Sequence, residues 1–242
     1  MNELYLFLAI GLIAFLYSSV GHGGASGYLA LLIIYGFAPA ETRSSALILN
    51  ILVAGIAFLS YYKSQHFDLK KIVPFLVGSV PASFTGSLIN TDVHLYKILL
   101  GIVLFIAVFR MMMTINIHSY ELRKFSPGLA VIFGVVIGFV SGLIGIGGGI
   151  ILSPLLILFR WSSIKETACL SAIFILINSL TGLSGLMIHG ISFNAVLIPC
   201  ILVAIAGGFT GSWVGSRHLP VPALKFTLAI VLLFAGFKLF IG

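Results

Sequence analysis

The segment Gly138–Pro154, GFVSGLIGIGGGIILSP, constrains this chain more than any other. It belongs to a long apolar run, yet Gly142, Gly145, Gly147, Gly148 and Gly149 crowd its middle. Glycine in a helix interior costs on the order of 1 kcal/mol relative to alanine. Clustered glycines therefore stop the helix and free backbone N–H and C=O groups. At membrane depth such groups are tolerated only where protein buries them or a water-filled cavity meets them. A weaker copy of the same pattern stands near the N-terminus, at Tyr17–Ala30, YSSVGHGGASGYLA.

The rest of the sequence says which solvent applies. Hydrophobic residues make up 60% of the 242 and charged residues 8%, with a mean hydropathy of +1.21. An average protein has roughly 25% charged residues, so a soluble globule is excluded. The fold class is all-α, a polytopic protein with the lipid bilayer as its partner. The opening MNELYLFLAIGLIAFLYSS lacks a basic n-region and reads as a first membrane helix. The formal charge of +7 is explained first by basic loops held in the cytoplasm and only secondarily by attraction of anions. It is not read as a nucleic-acid surface. Cys169 and Cys200 lie in apolar runs and read as small buried side chains. No cofactor, metal site or disulfide is expected.

Eight apolar blocks follow one another: Leu4–Gly36, Ser44–Tyr62, Ile72–Ile89, Ile98–Met113, Phe125–Phe159, Thr167–His189, Phe193–Gly215 and Ala223–Gly242. The most polar connector, INIHSYELRK, follows Thr114 and ends at Lys124. On either side of it the sequence repeats. Phe84-Thr85-Gly86-Ser87 returns 125 residues later as Phe209-Thr210-Gly211-Ser212. The same shift carries Glu41-Thr42 onto Glu166-Thr167 and Pro74 onto Pro199. Gly21-His22-Gly23-Gly24 aligns with Gly145-Ile146-Gly147-Gly148, and Ile102–Arg110 with Ile230–Lys238. The expected organisation is one integral membrane domain, with a first repeat over 1–116, a polar connector over 117–126 and a second repeat over 127–242.

Charge decides between two topologies. If each glycine-broken block crosses once, seven basic residues face six across the membrane. If each is a hairpin turning at its glycines, ten share a side and only Arg43, Lys97 and Lys238 oppose them. The second arrangement fits the positive-inside rule. It gives about five membrane segments per repeat, and an odd number makes the repeats inverted. The second arms, Ala25–Phe37 and Gly149–Trp161, span only ~20 Å as helix, against ~30 Å of hydrocarbon. The turns are thus expected inside the membrane, one entering from each face. Small-residue ridges at Gly207, Gly211 and Gly215, at Ala82 and Gly86, and at Gly134, Gly138 and Gly142 predict close helix contacts.

No carboxylate falls in mid-span; Glu3, Glu41, Asp68, Asp92, Glu121 and Glu166 all stand at ends or loops. That speaks against a buried acid relay and suits a small anionic substrate. Helix starts hold anions through unpaired N–H groups and the positive end of the dipole. Each glycine turn offers such a nest, Gly23, Gly24 and Ala25 in one, Gly147, Gly148 and Gly149 in the other. Gly21 and Gly145 open the two turns. Ser18, Ser19, Ser26 and Ser141 flank them, either donating hydroxyls to substrate or bonding backbone carbonyls. His22 replaces Ile146 and is either a titrating group or a neutral ring held by a carbonyl. Asn50 and Asn178 read as amides bonding a neighbouring helix. Glu41 and Glu166 read as helix starts, and Arg43 as a snorkelling interfacial cation or an anion gate. The other histidines, His66, His94, His118, His189 and His218, lie at loops or ends. Gly182-Leu183-Ser184-Gly185 matches the GxSG of rhomboid-type intramembrane proteases, which need a histidine base facing Ser184.

With these residues in view, SSVGHGGASGYLALL and SGLIGIGGGIILSPLLIL, each opening a repeated half, resemble the TauE/SafE family of sulfite exporters. The resemblance spans essentially the whole chain. The first copy departs from it: Ala25 stands where the second has Gly149, Ala30 where it has Pro154, and His22 intrudes. The resemblance implies a transporter of the prokaryotic inner membrane for sulfite, sulfoacetate or related organosulfonates, with the glycine turns as the positions carried over. Alternating access around those turns is the expected mechanism. An enzyme using Ser184 and a passive anion channel are the alternatives, and homo-oligomerisation is left open.

Overall fold

The computed structural model describes residues 3–64, 67–89, 121–188, 190–191 and 195–218, with isolated positions 98, 102, 105, 109, 226, 230 and 233. Outside them lie the bulk of the blocks expected at Ile98–Met113 and Ala223–Gly242, and His66, His94, His118, His189 and Asp92. The cations Lys97, Arg110, Lys225 and Lys238 lie outside too. Among the described residues there are eight helices and no strand. They are α1 (Glu3–Ser18), α2 (Ala25–Ile34), α3 (Pro39–Ser64), α4 (Leu69–Ser87), α5 (Pro127–Ile144), α6 (Gly149–Leu158), α7 (Ile164–Ile188) and α8 (Leu197–Arg217). Four of them, α3, α5, α7 and α8, are long and apolar enough to cross a membrane.

Local chemistry sets the boundaries. Asp68 caps α4, its carboxylate accepting the Lys70 N–H at 2.9 Å. Pro127 opens α5, where its missing N–H is no loss. Both long apolar blocks break at their glycines, so α1 and α2 are separated by Ser19–Gly24, and α5 and α6 by Gly145–Gly148. Each break reverses the chain. Gly27 of α2 lies against the Ile13 side chain of α1, and Ser26 Oγ is 2.7 Å from the Tyr17 hydroxyl. A helix continuing straight on would put Gly27 and Ile13 about 21 Å apart. In the second half Gly148 likewise packs on Ile137 and Ser141 of α5.

The glycine ridges glue the halves together. On α5, Gly134, Gly138 and Gly142 rest on the backbone carbonyls of Phe75, Ser79 and Ser83 of α4. On α8, Gly207, Gly211 and Gly215 rest on those of Gly11 and Phe15 of α1 and of Ser19 just after it. Any side chain there would collide with backbone, so these ridges are contact faces of the kind small residues form in lipid. Numbers rise together along both pairs, which makes both parallel.

The same logic orients the remaining helices. Val53, Ser60 and Tyr61 of α3 meet Gly208, Ser212 and Gly215 of α8, a parallel pair. Ser83 and Ser87 of α4 meet Gly182 and Gly185 of α7, again parallel. Leu47, Asn50 and Gly55 of α3 meet Gly182, Ser179 and Leu176 of α7, an antiparallel pair. It follows that α1, α3 and α8 run one way and α4, α5 and α7 the other. Each of α1, α3 and α4 runs opposite to its counterpart, α5, α7 and α8.

These directions also sort the charges. Lys63, Lys70, Lys71, Arg123, Lys124, Arg160, Lys165 and Arg217 gather at one end. Lys71 pairs with Glu166 at 2.6 Å, Lys165 reaches Ser216 O at 3.3 Å, and the Arg123 N–H bonds Arg160 O at 2.9 Å. Of the nine described Lys and Arg residues, Arg43 alone starts a helix at the opposite end. By the positive-inside rule the crowded end is cytoplasmic.

Candidate functional site

Both turns are built on left-handed glycine. Gly24 caps α2 at φ +99°, and Gly148 caps α6 at φ +77°. L-residues with a Cβ rarely adopt that conformation, and in each case a Cβ would also crowd neighbours, Tyr28 at Gly24, Phe174 and Ile137 at Gly148. The two turns share a backbone bond. The His22 N–H returns to Tyr17 O at 2.9 Å, and the matching Ile146 N–H to Ser141 O at 3.3 Å.

The starts of α2 and α6 converge on one side chain. Gly23 and Gly147 both pack against the Asn50 amide. Asn50 Oδ1 accepts the Ala25 N–H at 3.2 Å, and its Nδ2 donates to Ser179 Oγ at 2.8 Å. Asn50 stands about 17 Å along an α3 that is roughly 39 Å long. The convergence therefore lies at mid-depth, facing two helix starts that each contribute about half a positive charge. Asn50 bonds a neighbouring helix, as its place in an apolar run suggests. It also occupies the Ala25 N–H, so that amide of the first nest is not free.

His22 joins one hairpin to the other. Its Nδ1 lies 3.1 Å from Val20 O, its Nε2 3.1 Å from Gly149 O and 3.2 Å from Ser153 Oγ. Ser153 in turn meets Ser171 Oγ at 2.6 Å. A neutral imidazole has one N–H to offer two carbonyls, whereas an imidazolium serves both. The ring is thus held on two sides, by the Val20 carbonyl on one and by Gly149 O and the Ser153 hydroxyl on the other.

The serines divide. Ser18 and Ser19 donate to carbonyls of their own helix, Phe15 O at 3.3 Å and Leu16 O at 2.7 Å, and Ser26 pairs with Tyr17. Among the described residues, the buried hydroxyl of Ser141 has no hydrogen-bond partner, and neither has that of Tyr28, whose ring lies at Gly24. Asn178 turns its Nδ2 to Phe174 O of its own helix at 2.9 Å, and its Oδ1 has no partner among the described residues. It does not reach the glycine turns through any hydrogen bond among the described residues.

Arg43 departs from the snorkelling reading. It is 8% exposed, its stem packs on Gly145, and its Nη2 donates to Gly142 O at 3.1 Å near the α5 C-terminus. A cation there meets the negative end of the α5 dipole. The sequence hides this because the carbonyl it serves is 99 residues away. Tyr28, Ser153 and Ser171 are also absent from the sequence-derived candidates. Tyr28 and Ser153 have one signal, a polar atom just after a glycine cluster, and Ser171 has only its place inside the apolar α7.

The protease constellation is absent among the described residues. Ser184 is exposed and gives its proton to Thr181 O at 2.7 Å, while His218 packs on Trp213 at a tilt of 48° with centroids 4.4 Å apart. Cys169 and Cys200 are buried free thiols.

A multi-pass helical membrane protein with two broken hairpins meeting at mid-depth has the build of a membrane transporter. The sequence profile of the family described as Sulfite exporter TauE/SafE matches residues 6–239, and the chain belongs to that family. A protein named probable membrane transporter protein y4hK, from Sinorhizobium fredii, is 34% identical over 97% of this chain and 96% of its own. Probable membrane transporter protein YunE of Bacillus subtilis is 25% identical over 83% of this chain and 81% of its own. Probable membrane transporter protein ORF9 of a Sinorhizobium species is 29% identical over 88% and 82%. No solved structure matches the chain.

Proposed function

We propose that this transporter moves a small sulfur-containing anion, sulfite or an organosulfonate, across the inner membrane by alternating access around its two glycine turns. The observation that carries this reading is the convergence of the α2 and α6 starts on Asn50 at mid-depth. Two helix starts at one point favour negative charge. Tyr28 and Ser141 each leave a buried hydroxyl proton for an oxyanion. Arg43 adds a cation beside the second turn, and no carboxylate is among the buried residues described. The antiparallel order of the two halves supports repeats inverted across the membrane, which lets one arrangement of helices open to either side. The family's name supports the choice of sulfur oxyanions.

Thermal unfolding of the purified protein with sulfite, thiosulfate, sulfoacetate, sulfate and chloride tests this. A ligand that binds only the folded state raises the melting temperature by mass action. Stabilisation by a sulfur anion, lost in Gly148→Leu, supports the site and narrows the substrate. Stabilisation by none of them, or an equal shift in Gly148→Leu, overturns it.

A further inference from the structure

Away from the turns, α3 and α8 run side by side and leave a groove of about 280 Å³ between their cytoplasmic ends. Its walls are Ile56, Leu59 and Phe209, with Trp213 above them; its polar rim is Ser60, Ser216, Lys63 and Arg217. Lys165 of α7 reaches the neighbouring backbone, donating to Ser216 O at 3.3 Å. Two cations thus line the end of the groove, and a third, from α7, bonds the backbone of one of its lining residues.

Leu59 is 58% exposed and Phe209 62%, so the apolar walls face outward, where hydrocarbon is their solvent. Helix dipoles account for one basic residue at each helix end. They do not account for a groove that is apolar along its length and cationic at its mouth. That polarity matches a molecule with acyl chains and an anionic head. The cytoplasmic leaflet, which the charge distribution assigns to this end, carries a negative surface of anionic lipid. Trp213 sits where an indole bridges hydrocarbon and headgroups.

We propose that this groove binds one anionic phospholipid, with its phosphate held by Lys63, Arg217 and Lys165 and the start of an acyl chain lying against Ile56, Leu59 and Phe209. The site is separate from the glycine turns and does not depend on what the protein transports.

The test uses the full chain, purified in detergent and stripped of lipid, in thermal unfolding with added dioleoylphosphatidylglycerol. A rise of about 5 °C is expected at saturating lipid, with dioleoylphosphatidylcholine giving less than half of it. The doubly neutralised Lys63→Gln/Arg217→Gln protein should lose the difference, and the charge-preserving Lys63→Arg/Arg217→Lys protein should keep it. Retention of one phosphatidylglycerol per chain in native mass spectrometry, reduced in the neutralised variant, is the second readout. Equal shifts from both lipids, an equal shift from glycerol 3-phosphate alone, or an undiminished shift in the neutralised variant would each overturn the proposal. So would a lipid-dependent dimer in light scattering that vanishes in that variant, since a second copy would then occupy the groove.

Discussion

At the turn between α1 and α2 the helix start is wrapped in polar groups. Asn50 takes its first N–H, and His22 crosses to a carbonyl of the other hairpin. At the turn between α5 and α6 the repeat puts Ile175 where the first turn has Asn50, and Ile146 where it has His22. Ile175 packs on Gly149 and offers no acceptor to the α6 start. The exchange runs the other way one turn along. Gly21 rests on Ala168, whereas the equivalent Gly145 rests on Arg43. Among the described residues, one turn thus has an amide capping its helix start and an alanine against its first glycine; the other has Ile175 against its helix start and an arginine against its first glycine. The shared glycines make the two reversals, and a few unshared side chains give each its chemistry. A site on a pseudo-symmetry axis need not be symmetric, and an anion of fixed shape gains from one that is not.

The largest effect should come from what the turns have in common. Leucine at Gly24 or Gly148 is forced into left-handed backbone, a cost of about 1–3 kcal/mol, and meets Tyr28 or Phe174. Uptake or efflux in proteoliposomes should fall to background in both, with membrane insertion intact by immunoblot. Transport surviving in either would mean that the turns are not both needed.

Next in size are the differences. Arg43→Met removes the donor to Gly142 O and should lower stability by about 1–3 kcal/mol and anion affinity about tenfold or more. Arg43→Lys should recover part of the affinity, read by titration calorimetry. At the other turn Ala168→Ser should leave affinity unchanged. If Arg43→Met binds normally, the cation is a structural cap and nothing more. His22→Ile makes the first turn resemble the second. It loses the contact with Gly149 O and should cost about 1–3 kcal/mol in thermal unfolding, and an unaltered melt would show that the cross-link is dispensable.

Smaller again is the contrast between the two asparagines. Asn50→Leu strips a cap and an interhelical bond, a loss of about 1–2 kcal/mol. Asn178→Leu should cost less, because its Oδ1 has no partner among the described residues. Denaturation of the two proteins side by side would rank them. Ser184→Ala should change nothing in stability or transport, since the hydroxyl serves only its own helix; loss of activity would revive the enzyme reading.

Much of this architecture is written locally. Glycine breaks, apolar length and the repeat are properties of neighbours in sequence, so the eight described helices and their two hairpins can be read from it. The ridges are legible too, because Gly134, Gly138 and Gly142 have a spacing that only a backbone contact explains. What stays hidden depends on partners far away. Nothing near Arg43 signals that α5 ends beside it, and nothing near Asn50 signals that two helix starts arrive there. Ser18 and Ser19 show the opposite limit. Flanking a turn made them candidates, yet their hydroxyls return to carbonyls one turn back.

The glycine ridges have a consequence for how the protein is made. The ridge contacts of α1 are all on α8, 196 residues later in the chain, from Gly11 to Gly207. At ordinary synthesis rates of 5–20 residues per second, α1 waits about 10–40 s in the membrane for its partner. During that time its carbonyl-lined face has only lipid or the insertion machinery to meet. The polar connector therefore tethers two mutually dependent pieces rather than joining two finished ones, and a ribosome that stalls after the first half leaves α1 and α4 without the glycine ridges they pack against.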